Sequence, residues 1–194
     1  GVFNIPGKQN NDAEVTGALL TVGGDTSTVS FTTSANGVSR GIYAAGGLGS
    51  DVIVNGASLT LDATSAESVA HGIVALNNST VTVNSDTINI SANGATRARA
   101  IEASGSTGIG TVILGKDSSV TTLNATAKNG TAFGIFAGPK VGSTVTVNGK
   151  SLTINAHSDT DDAYGLFAQS SVTPDYEGNV STININAEDT VINV

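Results

Sequence analysis

The chain has 194 residues, with 16 acidic and 8 basic side chains, a formal net charge of −8, and no Cys, Met or Trp. The absence of Cys excludes disulfide scaffolds, thiol catalysis and Cys-ligated zinc. The negative charge opposes binding to phosphate backbones and anionic lipid, which makes nucleic acid and membrane surfaces poor partners. No apolar run approaches the roughly 18 residues of a membrane-spanning helix, so we expect no direct membrane insertion.

A short Gly-apolar-x-Ala element is the first repeated feature along the chain. It occurs four times, and a degenerate copy has Ala in place of the Gly. The second residues of the copies are separated by 31, 28, 34 and 31 residues. A regular spacing of this size is typical of repeat architectures. The copies occupy residues 41–44, 72–75, 100–103, 134–137 and 165–168.

Two further strand-like runs follow each copy. Alternation of apolar and polar residues sends Val52 and Val54 to one face of such a strand and the residues between them to the other. The first run occupies residues 51–55, 80–84, 111–115, 144–148 and 182–186. The second run occupies residues 59–61, 88–90, 120–123, 152–154 and 191–194. Residues 20–22 and 29–31 fit an earlier, incomplete copy.

Three short strands in every 31 or so residues predict one coil of a solenoid. A single coil cannot bury its apolar face, whereas stacked coils can, because each strand pairs in parallel with its counterpart one coil away. A sandwich does not explain equivalent residues at this spacing, and a propeller needs longer, four-stranded blades. We therefore predict an all-β fold, a right-handed parallel β-helix of about six coils, the first of them incomplete. Residues 14–194 form the helix, and residues 1–13 form an N-terminal extension.

Columns of equivalent residues support the stacking. The first run ends in Asn in four copies, and stacked amides can bond to one another between coils. Because Asn tolerates left-handed backbone, we also expect these residues to make sharp corners, with Gly115 in the same role. A second column consists of Ala, which fits a narrow interior. The Asn column is Asn55, Asn84, Asn148 and Asn186, and the Ala column is Ala44, Ala75, Ala103, Ala137 and Ala168.

Aromatic and basic residues fall in two neighbouring columns of the repeat. If Ile42 and Ala44 point inward, the residue between them points outward. Exposed aromatic rings with arginine nearby suit a carbohydrate- or protein-binding ridge. The alternative, favoured by the poor solubility of an uncovered row of Phe, is that a loop covers the rings or that they belong to the core. The candidate binding residues are Arg40, Tyr43, Phe133, Phe136, Tyr164 and Phe167.

Catalytic and metal-binding residues are sparse. His71 and His157 are far apart in the repeat, and we interpret both as solvated turn histidines. Asp159, Asp161 and Asp162 form the densest acidic group, but they lie in a loop rather than on a strand face. Paired carboxylates can cleave polysaccharides, whereas a loop of this kind is more typical of a solvated segment or a weak calcium site. We predict no catalytic residue, no metal site and no cofactor.

The Gly-Ile-Tyr-Ala segment at residues 41–44 and the Thr-Val-Thr-Val-Asn-Gly segment at residues 144–149 resemble passenger regions of bacterial type V autotransporters. The resemblance covers roughly residues 14–194. It implies a β-helix displayed on the outer surface of Gram-negative cells, and many such passengers act as adhesins. No Gly-Asp-Ser-Gly protease motif is present. Because a bare terminal strand invites edge pairing, we expect the native protein to continue in both directions.

The predicted function is therefore adhesion, with no enzymatic activity. The partner would be a host glycan or protein receptor, or another copy of the chain on a neighbouring cell. Self-association would use the polar Thr and Asn faces. Two alternatives remain: a polysaccharide lyase or hydrolase on the same scaffold, and a purely structural stalk.

Overall fold

The computed structural model describes residues 3–5, 18–170 and 179–194. The described residues form strands and turns, with no helix among them, and the strands stack in parallel as a β-solenoid of about five turns. The predicted parallel β-helix with a repeat near 31 residues is confirmed, and the number of turns is slightly below the six coils expected. In this part of the chain no helix has the length and apolar character needed to cross a membrane.

Six parallel strands form the first sheet, sheet A. They are β1 (Phe3–Ile5), β4 (Ser39–Ala44), β6 (Val69–Leu76), β8 (Arg97–Gly105), β11 (Ala132–Lys140) and β13 (Ala163–Ala168). Their order in the sheet is their order in the chain, so each strand pairs with its counterpart one coil away. Ile42 pairs with Ile73, and the column continues through Ile101 and Ile135 to Leu166. The spacing read from the sequence is therefore the coil length.

Sheet B contains the other eight strands. They are β2 (Ala18–Val22), β3 (Thr28–Ala35), β5 (Ser50–Ser65), β7 (Thr80–Gly94), β9 (Gly110–Leu114), β10 (Val120–Ala127), β12 (Ser143–Ser158) and β14 (Thr182–Asn193). Each of β5, β7, β12 and β14 contains both predicted runs in one continuous strand. Most coils therefore have two strands rather than the three short ones predicted, because pairing with the neighbouring coil continues through the corner.

The two runs remain separate where the corner is longer. Leu114 pairs with Val83 of the adjacent coil, and Thr121 pairs with Ile88. The segment that joins Leu114 to Thr121 is two residues longer than the segment that joins Val83 to Ile88. Val22 and Val29 flank a corner of the same length. In both places the corner begins with a Gly of positive φ, Gly115 at 81° and Gly23 at 78°. The extra residues therefore form a tight turn that interrupts the ladder.

The core lies inside the coils. Val52 and Val54, like their counterparts Val81 and Val83, are at most 2% exposed, as the alternation predicted. The Ala column is also buried from Ala44 to Ala137, whereas Ala168, in the last coil, is exposed. Stacking thus buries one apolar face of each strand, which no single coil could do alone.

Amide side chains are hydrogen-bonded between coils. Nδ2 of Asn84 donates to Oδ1 of Asn55 at 3.1 Å, and Nδ2 of Asn186 donates to Oδ1 of Asn148 at 2.9 Å. The predicted amide bonding is confirmed, with Gly115 interrupting the column. The predicted left-handed backbone at these Asn residues is wrong. Among the described residues, the non-Gly residues with positive φ are Asn77 and Asn78, which do not belong to the column. The column Asn residues are extended because the pairing of sheet B continues through them.

A second amide ladder was not predicted. Asn193 donates to Asn155 at 2.8 Å, Asn155 donates to Asn124 at 2.8 Å, and Asn124 reaches Oγ of Ser91 at 3.4 Å. These residues lie on the outer face of the second run. The ladder links four successive coils outside the apolar core.

The predicted N-terminal extension, residues 1–13, contributes β1 to sheet A through pairing with β4. The other residues of that segment lie outside the described residues. From β2 onward the described strands belong to the β-helix that was predicted for residues 14–194.

Candidate functional site

The Gly-apolar-x-Ala element gives sheet A an outer face with two side-chain columns. In β4, Gly41 and Ile42 are both buried, so strict alternation breaks between them, and Arg40 and Tyr43 are left on the outer face. At Gly134 a Cβ would collide with Cγ2 of Ile154 and lie 2.6 Å from the carbonyl oxygen of Gly165, whereas the third copy accommodates Ala100 at the equivalent position. The motif therefore places two outward side chains, three residues apart, in each coil.

The outward residues of successive coils are paired in register. One column runs Arg40, His71, Arg99, Phe133 and Tyr164. The other runs Tyr43, Val74, Glu102, Phe136 and Phe167. We call these ten residues the outer ladder. All six predicted binding residues belong to it, and the structure brings four of them into one cluster.

The four-aromatic cluster occupies the last two coils. The ring of Phe133 stacks on that of Tyr164, with centroids 5.3 Å apart, and Phe136 stacks on Phe167 at 5.7 Å. The two columns meet edge to face, with Phe133 5.2 Å from Phe136 and Tyr164 5.1 Å from Phe167. These are favourable geometries for aromatic pairs. Coil stacking thus builds a four-ring surface from residues distant in sequence.

Arginines lie over the aromatic rings. The guanidinium carbon of Arg99 is 4.1 Å from the ring centroid of Phe136, and that of Arg40 is 4.7 Å from the centroid of Tyr43. Both are cation–π contacts. Arg40 and Tyr43 form a pair of their own in the first complete coil, separate from the four-ring cluster by two coils.

A buried charged cluster lies in the middle of the outer ladder. Nη1 of Arg99 is 2.9 Å from Oε1 of Glu102, and Nδ1 of His71 is 3.1 Å from Oε2 of the same carboxylate. Oγ of Ser104 donates to Oε1 of Glu102 at 3.1 Å. Glu102 is only 7% exposed. The carboxylate is therefore held by partners from two coils.

The prediction that His71 is a solvated turn histidine is wrong. His71 lies within β6 and is 9% exposed, because neighbouring long side chains in the ladder cover it. Burial is the main cause that lowers its pKa from 6.5 to about 4; Glu102 opposes this change, and Arg99, Arg40 and Arg97 add to it. The imidazole is therefore neutral at pH 7.

The aromatic residues form an outer layer and are not part of the core. Phe133 and Phe136 are 8% and 7% exposed, yet they do not belong to the core cluster that contains Ile135. Their burial comes with ring contacts to Tyr164 and Phe167, which remain half-buried. Of the two alternatives weighed for these rings, the core placement is therefore not what the structure shows. The rings cover one another on the outside of sheet A.

An open hollow of about 260 Å³ lies beside the ladder. Its wall includes Ser104, whose hydroxyl donates to Glu102, and Pro139, which follows the Gly138 that lies against Phe136. The residues lining the hollow are Leu76, Asn77, Ser104, Gly105, Ser106 and Pro139. The hollow therefore adjoins the part of the ladder that contains Glu102.

The acidic loop has a different character. Asp161 and Asp162 are exposed; Oδ2 of Asp161 accepts from Oγ1 of Thr131, and Oδ2 of Asp162 accepts from the hydroxyl of Tyr164 at 2.9 Å. His157 is exposed, as predicted, but it lies within β12 rather than in a turn, and its Nε2 is 3.0 Å from Oδ1 of Asp159. No group of three or more potential metal ligands occurs among the described residues. Asp162 also raises the pKa of Tyr164 by accepting its hydroxyl proton in a hydrogen bond.

The sequence signal did not identify His71 and Glu102 as site residues. The repeat places them in the same two columns as Arg40 and Tyr43, but neither is a Phe, Tyr or Arg, and the candidate binding residues were restricted to those types.

No family model, curated protein or solved structure matches the chain.

Proposed function

We propose that this chain is a segment of an adhesin and that it binds its partner through the outer face of sheet A. The observation that carries the proposal is the four-ring aromatic cluster, which lies outside the core and keeps Tyr164 and Phe167 half-buried. Partly exposed aromatic rings beside arginine are typical of binding surfaces, whereas a fold-stabilising cluster would be enclosed. The resemblance to autotransporter passengers supports a location on the surface of a Gram-negative cell.

Binding by an immobilised chain tests this proposal. Beads coated with the chain would be applied to host cells and to arrays of glycans and matrix proteins. We expect the double substitution Tyr164→Ala and Phe167→Ala to abolish retention while the thermal melt stays cooperative. Val120→Ala is the matched control, since Val120 is an exposed apolar residue on sheet B. Retention that is equal in both variants would refute the proposed surface.

Self-association is a second candidate, and the outer face of sheet B favours it. Thr80, Thr111, Thr144 and Thr182 are paired in register across four coils, which gives a regular row of hydroxyl groups. Such a row can make many weak hydrogen bonds with an identical row on another molecule. Aggregation of bead-displayed chain would separate this candidate from a stalk. Replacing Thr111 and Thr144 with Lys should disperse the aggregates, because like charges then face one another.

We propose no enzymatic activity for the chain. Asp161 and Asp162, the best carboxylate pair in the sequence, are exposed and accept hydrogen bonds from Thr131 of the preceding coil, from the backbone N–H of Asp162 and from Tyr164. Incubation with acidic and neutral polysaccharides tests this proposal. Turnover that disappears in Asp161→Ala and Asp162→Ala variants would establish the lyase or hydrolase alternative instead.

A further inference from the structure

All three arginines lie on strands of sheet A. We propose that the outer ladder, with the adjoining Arg97, binds an acidic polysaccharide, whose chain lies along the solenoid axis with anionic groups at Arg40 and Arg97 and sugar rings against the aromatic cluster. The inference rests on the proposed function, because it names the ligand of the same face. It adds a charge requirement that the adhesin proposal does not contain.

Positive charge is concentrated on sheet A. The chain carries a net charge of −8, yet all three of its arginines, Arg40, Arg97 and Arg99, lie on strands of this sheet. Glu102 is the one carboxylate within β4, β6, β8, β11 and β13. At physiological ionic strength charges are screened beyond about 8 Å, so the local arginines outweigh the distant acids for a ligand on this face.

Two of the arginines are available to an anion. Among the described residues, neither Arg40 nor Arg97 has a carboxylate oxygen within ion-pair distance. Arg97 is exposed and Arg40 is half-buried on the outer face of the sheet. A carboxylate or sulfate can accept hydrogen bonds from arginine through two parallel N–H groups.

The spacing of the ladder suits a polymer. Arg40 and Arg97 lie on β4 and β8, which are separated by β6, so their strands are about 10 Å apart. This distance is comparable to the length of a disaccharide. His71, on the strand between them, is neutral at pH 7 and adds no positive charge to the surface. The pattern therefore fits an anionic group on every second sugar.

The aromatic half of the ladder continues in the same direction. Tyr164 and Phe167 are half-buried, and their rings can pack against the apolar faces of sugar rings. The exposed Asp161 and Asp162 lie at this end, next to Tyr164. Neutral sugar units are therefore expected over the aromatic rings and acidic units over the arginines.

Isothermal titration of the full chain with defined oligosaccharides tests the inference. The probes are hyaluronan oligosaccharides, with a carboxylate on every second sugar, oligogalacturonate, with one on every sugar, a heparin oligosaccharide, with sulfate as well, and neutral chitooligosaccharide. We expect hyaluronan-type spacing to bind at least tenfold more tightly than the neutral chain. Affinity should fall as salt is raised toward 1 M, because the screening length shortens to about 3 Å.

Arg40→Gln tests the contact itself. Its side chain has no ion-pair partner among the described residues, so Arg40→Gln should lower the melting temperature only slightly, through the loss of its cation–π contact with Tyr43. Binding should weaken about tenfold, the scale of one charge-assisted hydrogen bond. Lys128→Gln removes the same charge from an exposed position beside the other hollow and should change binding little.

The outcomes separate the two proposals. Equal affinity for the neutral and acidic chains, or equal effects of Arg40→Gln and Lys128→Gln, overturns the charge requirement while leaving an aromatic-dependent adhesin intact. Binding to single-stranded DNA as tight as to the acidic sugars also overturns the assignment to a polysaccharide. If the Tyr164 and Phe167 variants bind every partner as the parent chain does, the proposed function itself fails.

Discussion

Nδ1 of His71 lies 3.1 Å from Oε2 of Glu102, the outward carboxylate of the next coil. The separation is that of an ion pair, but neither atom has a partner at hydrogen-bond geometry. The contact is therefore electrostatic and does not replace the hydration that both groups lose on burial. Arg99, at 2.9 Å from the other oxygen of Glu102, neutralises the carboxylate without help from a histidine charge.

This arrangement predicts destabilisation by mild acid. The pKa of His71 is lowered from 6.5 to about 4, so between these values the unfolded chain binds more protons than the folded one. The free energy of unfolding should have its full value above pH 6.5. It should decrease by about 3 kcal/mol as the pH falls from 6.5 to 4. Urea unfolding at a series of pH values measures this slope.

His71→Gln provides the test residue and His157→Gln the control. The first substitution removes the titrating group from the ladder, and the slope between pH 6.5 and 4 should flatten. His157→Gln removes an imidazole from an exposed position outside the ladder and so controls for the loss of a histidine side chain as such. A slope that survives in His71→Gln would assign the acid sensitivity to other groups.

The surroundings of Gly134 and Gly37 predict that an alanine substitution changes stability at the first position but not at the second. A Cβ at Gly134 would lie 2.6 Å from the carbonyl oxygen of Gly165 and collide with Ile154, so Gly134→Ala should destabilise the fold by about 1–3 kcal/mol. Gly37 has no atom within 4 Å of the corresponding position, and Gly37→Ala should change stability by less than about 0.5 kcal/mol. Thermal unfolding of both variants gives the comparison.

The second amide ladder should contribute to stability outside the core. Asn155 donates to Asn124 and accepts from Asn193, both at 2.8 Å, so Asn155→Ala removes two hydrogen bonds from partly exposed positions. We expect a loss of about 1–2 kcal/mol in the free energy of unfolding. Thr153→Ala, two residues earlier on the same face, should cost much less. Similar losses in the two variants would show that the ladder adds nothing specific.

The sequence specified the coil because the evidence for it is local and repeated. Gly72 and Ala75 recur in fixed positions, and the alternation around Val81 assigns inside and outside directly. Corners were less predictable. Asn84 reads as a turn former, yet pairing with Asn55 on the adjacent coil keeps the strand extended through it. That pairing is a long-range contact that composition does not report.

The site was predicted in part for the same reason. Tyr43 and Phe136 were recognised as outward residues from the repeat alone. His71 is buried because long side chains from neighbouring coils cover it. The sequence of a single coil does not predict this coverage. Position 121 is a further case, since the apolar Val120 is 43% exposed while Thr121 is only 1% exposed. Pairing with Ile88 and Leu152 directs Thr121 inward.

Thr121 therefore predicts a stabilising substitution. Its hydroxyl is buried without a hydrogen-bond partner among the described residues, and Val has nearly the same shape. Thr121→Val should raise the free energy of unfolding by about 1 kcal/mol, because an unpaired buried polar group is removed. Thr122→Val, one residue later on the outer face, is the control and should have little effect. An unchanged or lowered melting temperature for Thr121→Val would contradict this account.

The outer layer and the core should respond differently to truncation. Ile135 is fully buried in the core cluster, and Ile135→Ala should cost about 2–5 kcal/mol through lost transfer energy and a residual cavity. Phe167 is a larger residue, but it is half-buried on the outer face, where it stacks on Phe136. It also contacts the rings of Phe133 and Tyr164 edge to face, and Phe167→Ala should cost about 1–2 kcal/mol, less than Ile135→Ala. Urea unfolding of both variants measures the difference. If Phe167→Ala destabilises the chain as much as Ile135→Ala does, the aromatic cluster belongs to the core. The outer face of sheet A would then have no exposed aromatic rings with which to bind a partner.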